Sequence, residues 1–239
     1  MTLDHPKPPA RRWPLILGGG AGVATAVAAY CILAPTDVTT PIASPTGMAD
    51  TPRAATSEPS PTSSLALDPI ADAPPTGCLA GPERDAAMVI SSLERAPRTS
   101  NGAVEVAASL VRWITQSPIP PAEDVREVQA AAVASGSDID LDSALTPGAD
   151  MSNGFVPAGT DFYLSTAPGV WDVESSDVDT VTVAVGTGFV IDGALSPTQR
   201  GSATMTMLWQ DEHWKLLSSS GSRPPTDLFA TGSAFTGGC

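Results

Sequence analysis

The stretch ATMTMLWQDEHWKLLS, residues 203–218, decides the fold, because two apolar runs flank the four polar residues QDEH. Side chains alternate between the two faces of a β-strand. If the runs form antiparallel strands joined by a four-residue loop, Trp209 faces Trp214 and Met207 faces Leu216, all on one face. We therefore predict a hairpin that packs its apolar face into a core and leaves its acids in a solvent-exposed turn.

The same turn holds Asp211, Glu212 and His213, residue types that serve elsewhere as acids, bases or metal ligands. His213 is the only histidine beyond the N-terminal tail, so no Ser–His–acid or Cys–His catalytic set can be assembled without it. A polar side chain in a turn needs no function to explain it. We predict no catalytic residue, and therefore no enzyme.

The segment SDIDLDS places Asp138, Asp140 and Asp142 at alternate positions, as calcium-binding loops do. An EF-hand-like loop also needs a glycine and a second acid where this chain has Ser143 and Ala149. We interpret the segment as an acidic, solvated connector and predict no metal site.

Gly186 and Gly188 interrupt a β-rich run instead of opening a helix, so they do not form a nucleotide-binding loop. Glycines inside a strand indicate a bulge or the close approach of another segment. No cofactor is therefore expected.

The chain is acidic, with 26 acidic and 12 basic side chains and a net charge of −14. Nucleic-acid binding requires a basic face that displaces counterions from the phosphates. The composition therefore argues against direct contact with nucleic acid.

Residues 15–34 contain no charged side chain, and 20 helical residues span about 30 Å, the thickness of a bilayer core. Lys7, Arg11 and Arg12 precede this segment. The positive-inside rule then places the tail, residues 1–14, in the cytoplasm and everything after the segment outside. We predict a single-pass protein of the cell membrane.

Small residues recur in the predicted membrane helix at four-residue spacing, at Gly18, Gly22 and Ala26. This spacing lets helix backbones approach closely, which allows a homo-oligomer. The alternative for the whole segment is a cleaved signal peptide, since Ala24-Thr25-Ala26 fits a cleavage site, although the apolar run continues past it.

Residues 35–77 hold nine prolines among Thr, Ser, Ala and Asp. Such a segment cannot bury enough apolar surface to offset the entropy of ordering it, so we predict a disordered linker. A random coil of this length reaches about 35–40 Å.

The three cysteines mark the domain boundaries. Cys31 falls in the predicted membrane helix, Cys78 opens the domain and Cys239 ends the chain. Outside the cytoplasm, Cys78 and Cys239 are expected to form a disulfide that joins the two ends of the domain. The alternative is a pair of free thiols.

Between residues 78 and 239 the pattern changes from helical to β. Amphipathic helical segments are predicted from Pro82, after Asn101-Gly102 and at 122–134. Strand-like runs follow at 153–157, 161–165, 170–174, 180–191, 203–209 and 214–218. Helices followed by strands predict an α+β domain with an antiparallel sheet, and residues 221–239 are expected to lie over its surface.

Leading helices and a curved antiparallel sheet that ends in an apolar strand, a polar turn and Trp-Lys-Leu resemble the nuclear-transport-factor-2-like cone fold. With its anchor, the chain is similar to the bitopic inner-membrane scaffold proteins of type IV secretion, above all those of actinobacterial conjugative elements. The likeness is carried by Trp209, Asp211, Trp214, Lys215 and Leu216, with Trp171 and Val181–Val185 upstream. It spans about residues 78–225 and implies a non-enzymatic protein, whereas the long linker and the Cys78–Cys239 pair are not family features.

These observations predict a scaffold that binds other envelope proteins of a conjugative DNA-transfer or secretion apparatus. Two alternatives stay open: an accessory protein of a lipid or solute uptake system, and a cone-fold module that binds a small ligand or acts as an enzyme. For that module, Asp161, Tyr163 and Trp171 are the candidate lining residues. Paired polar residues in a deep cavity would favour it, and a filled apolar cone would favour the scaffold.

Overall fold

The computed structural model describes residues 73–239. The predicted membrane helix with Gly18, Gly22 and Ala26, and the linker up to residue 72, lie outside the described residues. Between residues 73 and 239, no helix is long and apolar enough to cross a membrane. The helices are α1 (Ala86–Arg95), α2 (Ser100–Ile114), α3 (Ala122–Ala132), α4 (Leu141–Ala144) and α5 (Pro225–Thr231). The strands are β1 (Gln116–Ser117), β2 (Phe162–Ser176), β3 (Thr180–Ile191), β4 (Ala194–Gln210), β5 (His213–Ser220) and β6 (Ser233–Ala234).

The strands form one antiparallel sheet in the order β1-β2-β3-β4-β5, with β6 paired to the outer edge of β2. The sheet curls into a half-barrel, which confirms the predicted α+β class and curved antiparallel sheet. Along β3, Val181, Val183 and Val185 point into the main core, while Ala184 on the opposite face packs against Leu228 of α5. The curled sheet therefore carries helices on both faces.

Helix α2 is the centre of the core, because every residue from Gly102 to Trp113 is buried. It packs against α1 on one side and against β2 and β3 on the other. A helix buried all round must be apolar all round, and its sequence consists mainly of Ala, Val and Leu. Two charged residues, Glu105 and Arg112, are the exceptions, and both bond to residues 76–83 at the start of the domain.

The final hairpin has the predicted pairs with a tighter turn. Trp209 pairs with Trp214 and Met207 with Leu216, but Gln210 also pairs with His213, so the four-residue loop expected from the sequence is wrong. The turn consists of Asp211 and Glu212 alone, with φ of 52° and 65°. Two consecutive left-handed residues match the twist of antiparallel strands; Asp adopts this conformation more readily than most residues, whereas Glu does so at a steric cost.

Both leading helices start at side-chain caps that differ from the predicted starts. Helix α1 begins after Asp85, whose carboxylate accepts the Met88 N–H at 2.8 Å, rather than at Pro82. Helix α2 begins after Thr99, whose hydroxyl accepts the Gly102 N–H at 3.1 Å. Gly102 is thus inside the first turn, where a Cβ would collide with the carbonyl oxygen of Pro97.

Two segments differ from their predicted form. Residues 153–157 form turns instead of a strand, because Asp150 accepts N–H groups from Ser152 and Gly154 and folds the chain back. The C-terminal tail contains α5, whose Leu228 is fully buried. Gly186 explains this docking, since a Cβ there would lie 2.7 Å from Val170 and 3.0 Å from Phe229. The glycine therefore marks a close approach, as one of its two interpretations predicted.

Candidate binding cavity

A cavity of about 430 Å³ lies between the C-terminal end of α2 and the concave face of the sheet. Most of its wall is apolar and comes from five elements. Representative side chains are Val111 and Ile114 of α2, Leu164 of β2, Phe189 of β3, Met205 of β4 and Leu216 of β5. The volume lies within the range of small-molecule pockets, about 300–1,000 Å³. The cone is therefore not filled by its own side chains, so the described residues show neither the filled apolar interior that would favour the scaffold nor paired polar residues in a deep cavity.

Small residues in β4 leave this space. Gly201, Ser202 and Ala203 line the cavity, whereas Met205 and Met207 follow further along the same strand. A Cβ on Gly201 would lie 3.3 Å from Phe189 and 3.7 Å from Leu164, so the missing side chain opens the wall between these two residues. The Gly-Ser-Ala run is the signal by which the sequence could have revealed the cavity.

Two register shifts place polar residues along the wall of the cavity. Arg200 pairs with Gly188 and Leu195 with Val190, so residues 196–199 bulge out of β4. A second shift in β5 sets Ser219 opposite Met205, five residues along β4 from Arg200, where its hydroxyl donates to the Thr204 carbonyl oxygen at 3.4 Å and the residue lines another part of the wall. The positions of these polar residues thus depend on irregular strands that alternation alone does not predict.

Arg200 is the one charged residue that lines the cavity among the described residues, and no carboxylate joins it. Its Nη1 donates to the carbonyl oxygens of Ser196 at 2.9 Å and Gln199 at 2.8 Å, and its Nη2 donates to that of Pro197 at 3.4 Å. Arginine has five N–H donors, so these bonds hold the bulge and leave donors on Nη2 and Nε. The remaining polar groups here are amide and hydroxyl groups, including Asn153.

Phe155 forms the rim of the cavity and is 56% exposed. Its ring centroid lies 6.0 Å from that of Phe189, and its carbonyl oxygen accepts the Gln199 side chain at 2.9 Å. Phe155 and Arg200 also line an adjoining groove that reaches Phe229, over whose ring the Arg200 guanidinium lies at 5.6 Å. An exposed phenylalanine therefore stands where the cavity opens onto an apolar surface groove.

Thr187 is a buried polar residue beside this wall. It is fully buried, and its hydroxyl has no hydrogen-bond partner among the described residues. A Cβ on Gly201 would lie 3.3 Å from that hydroxyl oxygen, so Thr187 lies next to the gap that the glycine leaves. A buried hydroxyl without a partner is costly, and a polar atom brought to this gap would satisfy it.

The two ends of the domain are joined by the predicted disulfide. Cys78 and Cys239 are bonded, with 5.6 Å between their Cα atoms, which confirms the pair and removes the alternative of free thiols. Thr166 of β2 holds both ends: its hydroxyl donates to the Gly77 carbonyl at 2.9 Å, and its N–H donates to the Cys239 carbonyl at 2.9 Å. The terminal residues are thereby tied to the sheet.

Buried charges of α2 fasten the entry to the domain. Glu105 accepts the Thr76 hydroxyl at 2.8 Å and the Gly77 N–H at 3.0 Å. Arg112 donates to the carbonyl oxygens of Gly81 at 3.2 Å and Glu83 at 3.1 Å. Burial, aided by the nearby charge of Arg84, lowers the pKa of Arg112 to about 10, so it stays charged at neutral pH.

The hairpin residues form part of the core. Met207, Trp214 and Leu216 are buried, and Trp209 is half-buried. The Trp214 indole donates to the Pro97 carbonyl at 2.9 Å and meets Trp209 edge-to-face at 5.3 Å between ring centroids. The hairpin therefore packs the sheet onto the α1–α2 connection.

The polar residues of the hairpin make separate contacts. His213 places its Nδ1 3.2 Å from the Leu93 carbonyl oxygen. Asp211 pairs with Lys215 at 2.8 Å on the surface. Asp140 caps α4, and hydrogen bonds from Ser143 lower the pKa of its carboxyl group. Among residues 73–239, no three His, Cys, Asp or Glu residues are placed to hold a metal ion.

The residues proposed to line a cavity do not line the one observed. Tyr163 alternates with the inward-facing Leu164 and lies under the Arg84 guanidinium, 3.7 Å from its ring centroid. Trp171 packs against the main core, and its strand position is paired with Ser233 of β6. Asp161 precedes β2, and its carbonyl oxygen accepts the Asp192 N–H. The prediction failed because it assumed side-chain direction before the strand register was known.

Comparison of the chain with protein-family models, with curated proteins and with solved structures finds no significant match.

Proposed function

We propose that this protein is a non-enzymatic, membrane-anchored scaffold that binds other envelope proteins of a conjugative DNA-transfer or type IV secretion apparatus. The observation that carries the proposal is the disulfide-closed α+β domain with its curled sheet, placed after an acidic, proline-rich linker. Leading helices, long antiparallel strands and a closing Trp-Lys-Leu hairpin support assignment to the nuclear-transport-factor-2-like cone fold.

The disulfide supports a location outside the cytoplasm. Disulfides persist in oxidising compartments and are rare where glutathione keeps thiols reduced. The Cys78–Cys239 bond ties the two ends of the domain together, and Thr166 and Glu105 hold the same region by hydrogen bonds. A domain closed in this way fits the outer side of a membrane.

Exposed apolar side chains supply contact points for partner proteins. Val178, in the β2–β3 turn, is 84% exposed, and Leu195, beside the β3–β4 turn, is 46% exposed. The two turns lie at opposite ends of β3. Apolar residues exposed singly are common on protein surfaces, so these two are proposed contact points and do not by themselves form an interaction patch.

The charge of the domain argues against a direct role in holding DNA. Residues 73–239 carry eight basic and 20 acidic side chains. A protein that holds DNA needs clustered basic side chains to neutralise phosphates. The scaffold is therefore proposed to contact proteins of the apparatus.

The location is tested by labelling cysteines on intact cells. In a Cys31→Ser background, a membrane-impermeant maleimide is expected to label Cys78 and Cys239 only after reduction, because their thiols are held in the disulfide. The triple variant that also carries Cys78→Ser and Cys239→Ser gives the background signal. Labelling that requires permeabilised cells would place the domain in the cytoplasm and contradict the proposal.

The function is tested by deleting residues 78–239 while keeping residues 1–77. DNA transfer or secretion by the host cell is expected to be abolished, because the proposed partner contacts lie in the deleted domain. Restoring the full chain from a plasmid controls for effects on neighbouring genes, and membrane fractionation checks that the remaining anchor accumulates. Transfer at the normal frequency in the deletion strain would refute the scaffold.

A further inference from the structure

We propose that the cavity under the sheet binds a single-chain fatty acid, with its apolar chain inside the cone and its carboxylate at Arg200. This inference goes beyond the scaffold function, since a small ligand is distinct from the protein partners. The cavity of about 430 Å³ is lined by aliphatic and aromatic side chains from α2 and four strands. An apolar space of this size suits an alkyl chain.

The charge pattern of the wall selects the head group. The described domain has 20 acidic side chains, yet none lines the cavity, where Arg200 is the one charged residue. A carboxylate at the mouth would meet a guanidinium without competing acids. Guanidinium donors recognise carboxylates by charge-assisted hydrogen bonds, which are roughly twice as strong as neutral ones. An ammonium or choline head group would find no counter-charge there.

The geometry of the mouth is suited to this task. Arg200 is held by the carbonyl oxygens of Ser196, Pro197 and Gln199, so its guanidinium is fixed before a ligand arrives. Its remaining donors, on Nη2 and Nε, belong to a guanidinium that lies over the Phe229 ring, so a carboxylate would bind at the edge where the cavity meets the groove to Phe229. Asn153 also lines the cavity and is the nearest residue in the chain to Phe155 with a polar side chain in this lining. A preorganised donor binds without a further loss of side-chain entropy.

The rim provides a path into the cavity. Phe155 is 56% exposed and lies between the cavity and the groove that leads to Phe229. The Gln199 side chain holds the Phe155 backbone by donating to its carbonyl oxygen, while the exposed ring borders the opening. An exposed aromatic residue at the mouth also gives an alkyl chain an initial apolar contact.

The proposal is tested by photo-crosslinking on the full-length chain in lipid nanodiscs. The probe is palmitic acid with a diazirine near the end of its alkyl chain, and crosslinked peptides are identified by mass spectrometry. Saturable labelling is expected in peptides that contain Leu164, Phe189 or Met205, and excess unlabelled palmitate should abolish it. Labelling restricted to residues 15–34 or to scattered surface peptides would overturn the proposal.

A cavity-filling variant separates specific binding from adsorption. Ala203→Leu places a larger side chain in the wall and is expected to reduce labelling of the cavity peptides at least fivefold. Ala194→Leu makes the same change at an exposed position of the same strand and should label like the wild type. Unchanged labelling of Ala203→Leu would contradict the site. If this variant unfolds at a lower temperature, the wild-type peptide map and the palmitate competition decide the question.

The head group is tested with Arg200→Gln. The palmitate concentration that gives half-maximal labelling is expected to rise about tenfold, the usual size of a lost charged hydrogen bond. Labelling by the methyl ester of the same probe should not change, because the ester has no charge. Arg126→Gln, on the exposed side of α3, is the matched control. Equal effects on the acid and the ester would remove the carboxylate assignment. These assays report ligand binding directly, so their outcome is independent of whether DNA transfer depends on the domain.

Discussion

Replacing Cys78 and Cys239 by serine is expected to lower the free energy of unfolding of the domain by up to about 5 kcal/mol. The bond joins residues 161 positions apart, and the chain-entropy model gives about this value for a loop of that length. For a domain of this size, 1 kcal/mol corresponds to roughly 2–4 °C, so the unfolding midpoint should fall by about 10–20 °C. Thermal unfolding followed by circular dichroism measures the change.

Two comparisons isolate the disulfide. Cys31→Ser removes a cysteine outside the described domain and should leave the midpoint unchanged. Chemical reduction of the wild-type chain should reproduce the effect of the double serine variant, since both release the same loop. A midpoint that stays within 2 °C of the wild type would mean that the hydrogen bonds of Thr166 and Glu105 suffice to hold the ends.

Trp214→Ala is expected to lower the free energy of unfolding by about 3–5 kcal/mol, the range for removing a fully buried large aromatic side chain. Trp214 is 2% exposed and fills the space between the hairpin and the α1–α2 connection. Its loss also leaves the Pro97 carbonyl oxygen without the indole donor that bonds to it at 2.9 Å. Denaturant unfolding measures the difference.

Trp209→Ala is the matched control for that prediction. Trp209 belongs to the same cross-strand pair but is only half-buried, so its removal should cost less than half as much. The double variant should show a coupling of about 0.5–1.5 kcal/mol from the lost edge-to-face contact. If the two single variants lost equal free energies of unfolding, the difference in burial between Trp214 and Trp209 would not determine their contributions to stability.

Alternation of side chains along a strand predicts the residue pairs of the hairpin but not the length of its turn. The pairs Trp209–Trp214 and Met207–Leu216 follow from symmetry about the turn, and that symmetry is the same for a four-residue loop and for the observed two-residue turn. The turn length depends on whether Asp211 and Glu212 accept left-handed backbone angles. Asp is one of the residue types that adopt these angles, but Glu rarely does, so the sequence does not predict the two-residue turn.

Alternation of side chains along the strands does not predict the cavity. Its polar residues depend on the bulge at residues 196–199, which places Arg200, and on the separate register shift that sets Ser219 opposite Met205. A one-residue slip moves every later side chain to the other face, so a small irregularity changes which groups meet. Tyr163 was proposed for the wall and faces away, whereas Arg200, which the sequence did not single out, lies at the mouth.

The sequence by itself determined that helices come first and antiparallel strands follow, and which face of the final hairpin is apolar; it also indicated Cys78 and Cys239 as the two cysteines at the ends of the domain. Each of these follows from local periodicity or from the position of the cysteines, and neither depends on which elements pack together. Only the tertiary structure decided that α2 is buried on all sides, that α5 docks on Gly186, and that a cavity stays open under β4. These features depend on the volume left between elements that are far apart in the chain, and neither periodicity nor composition measures that volume.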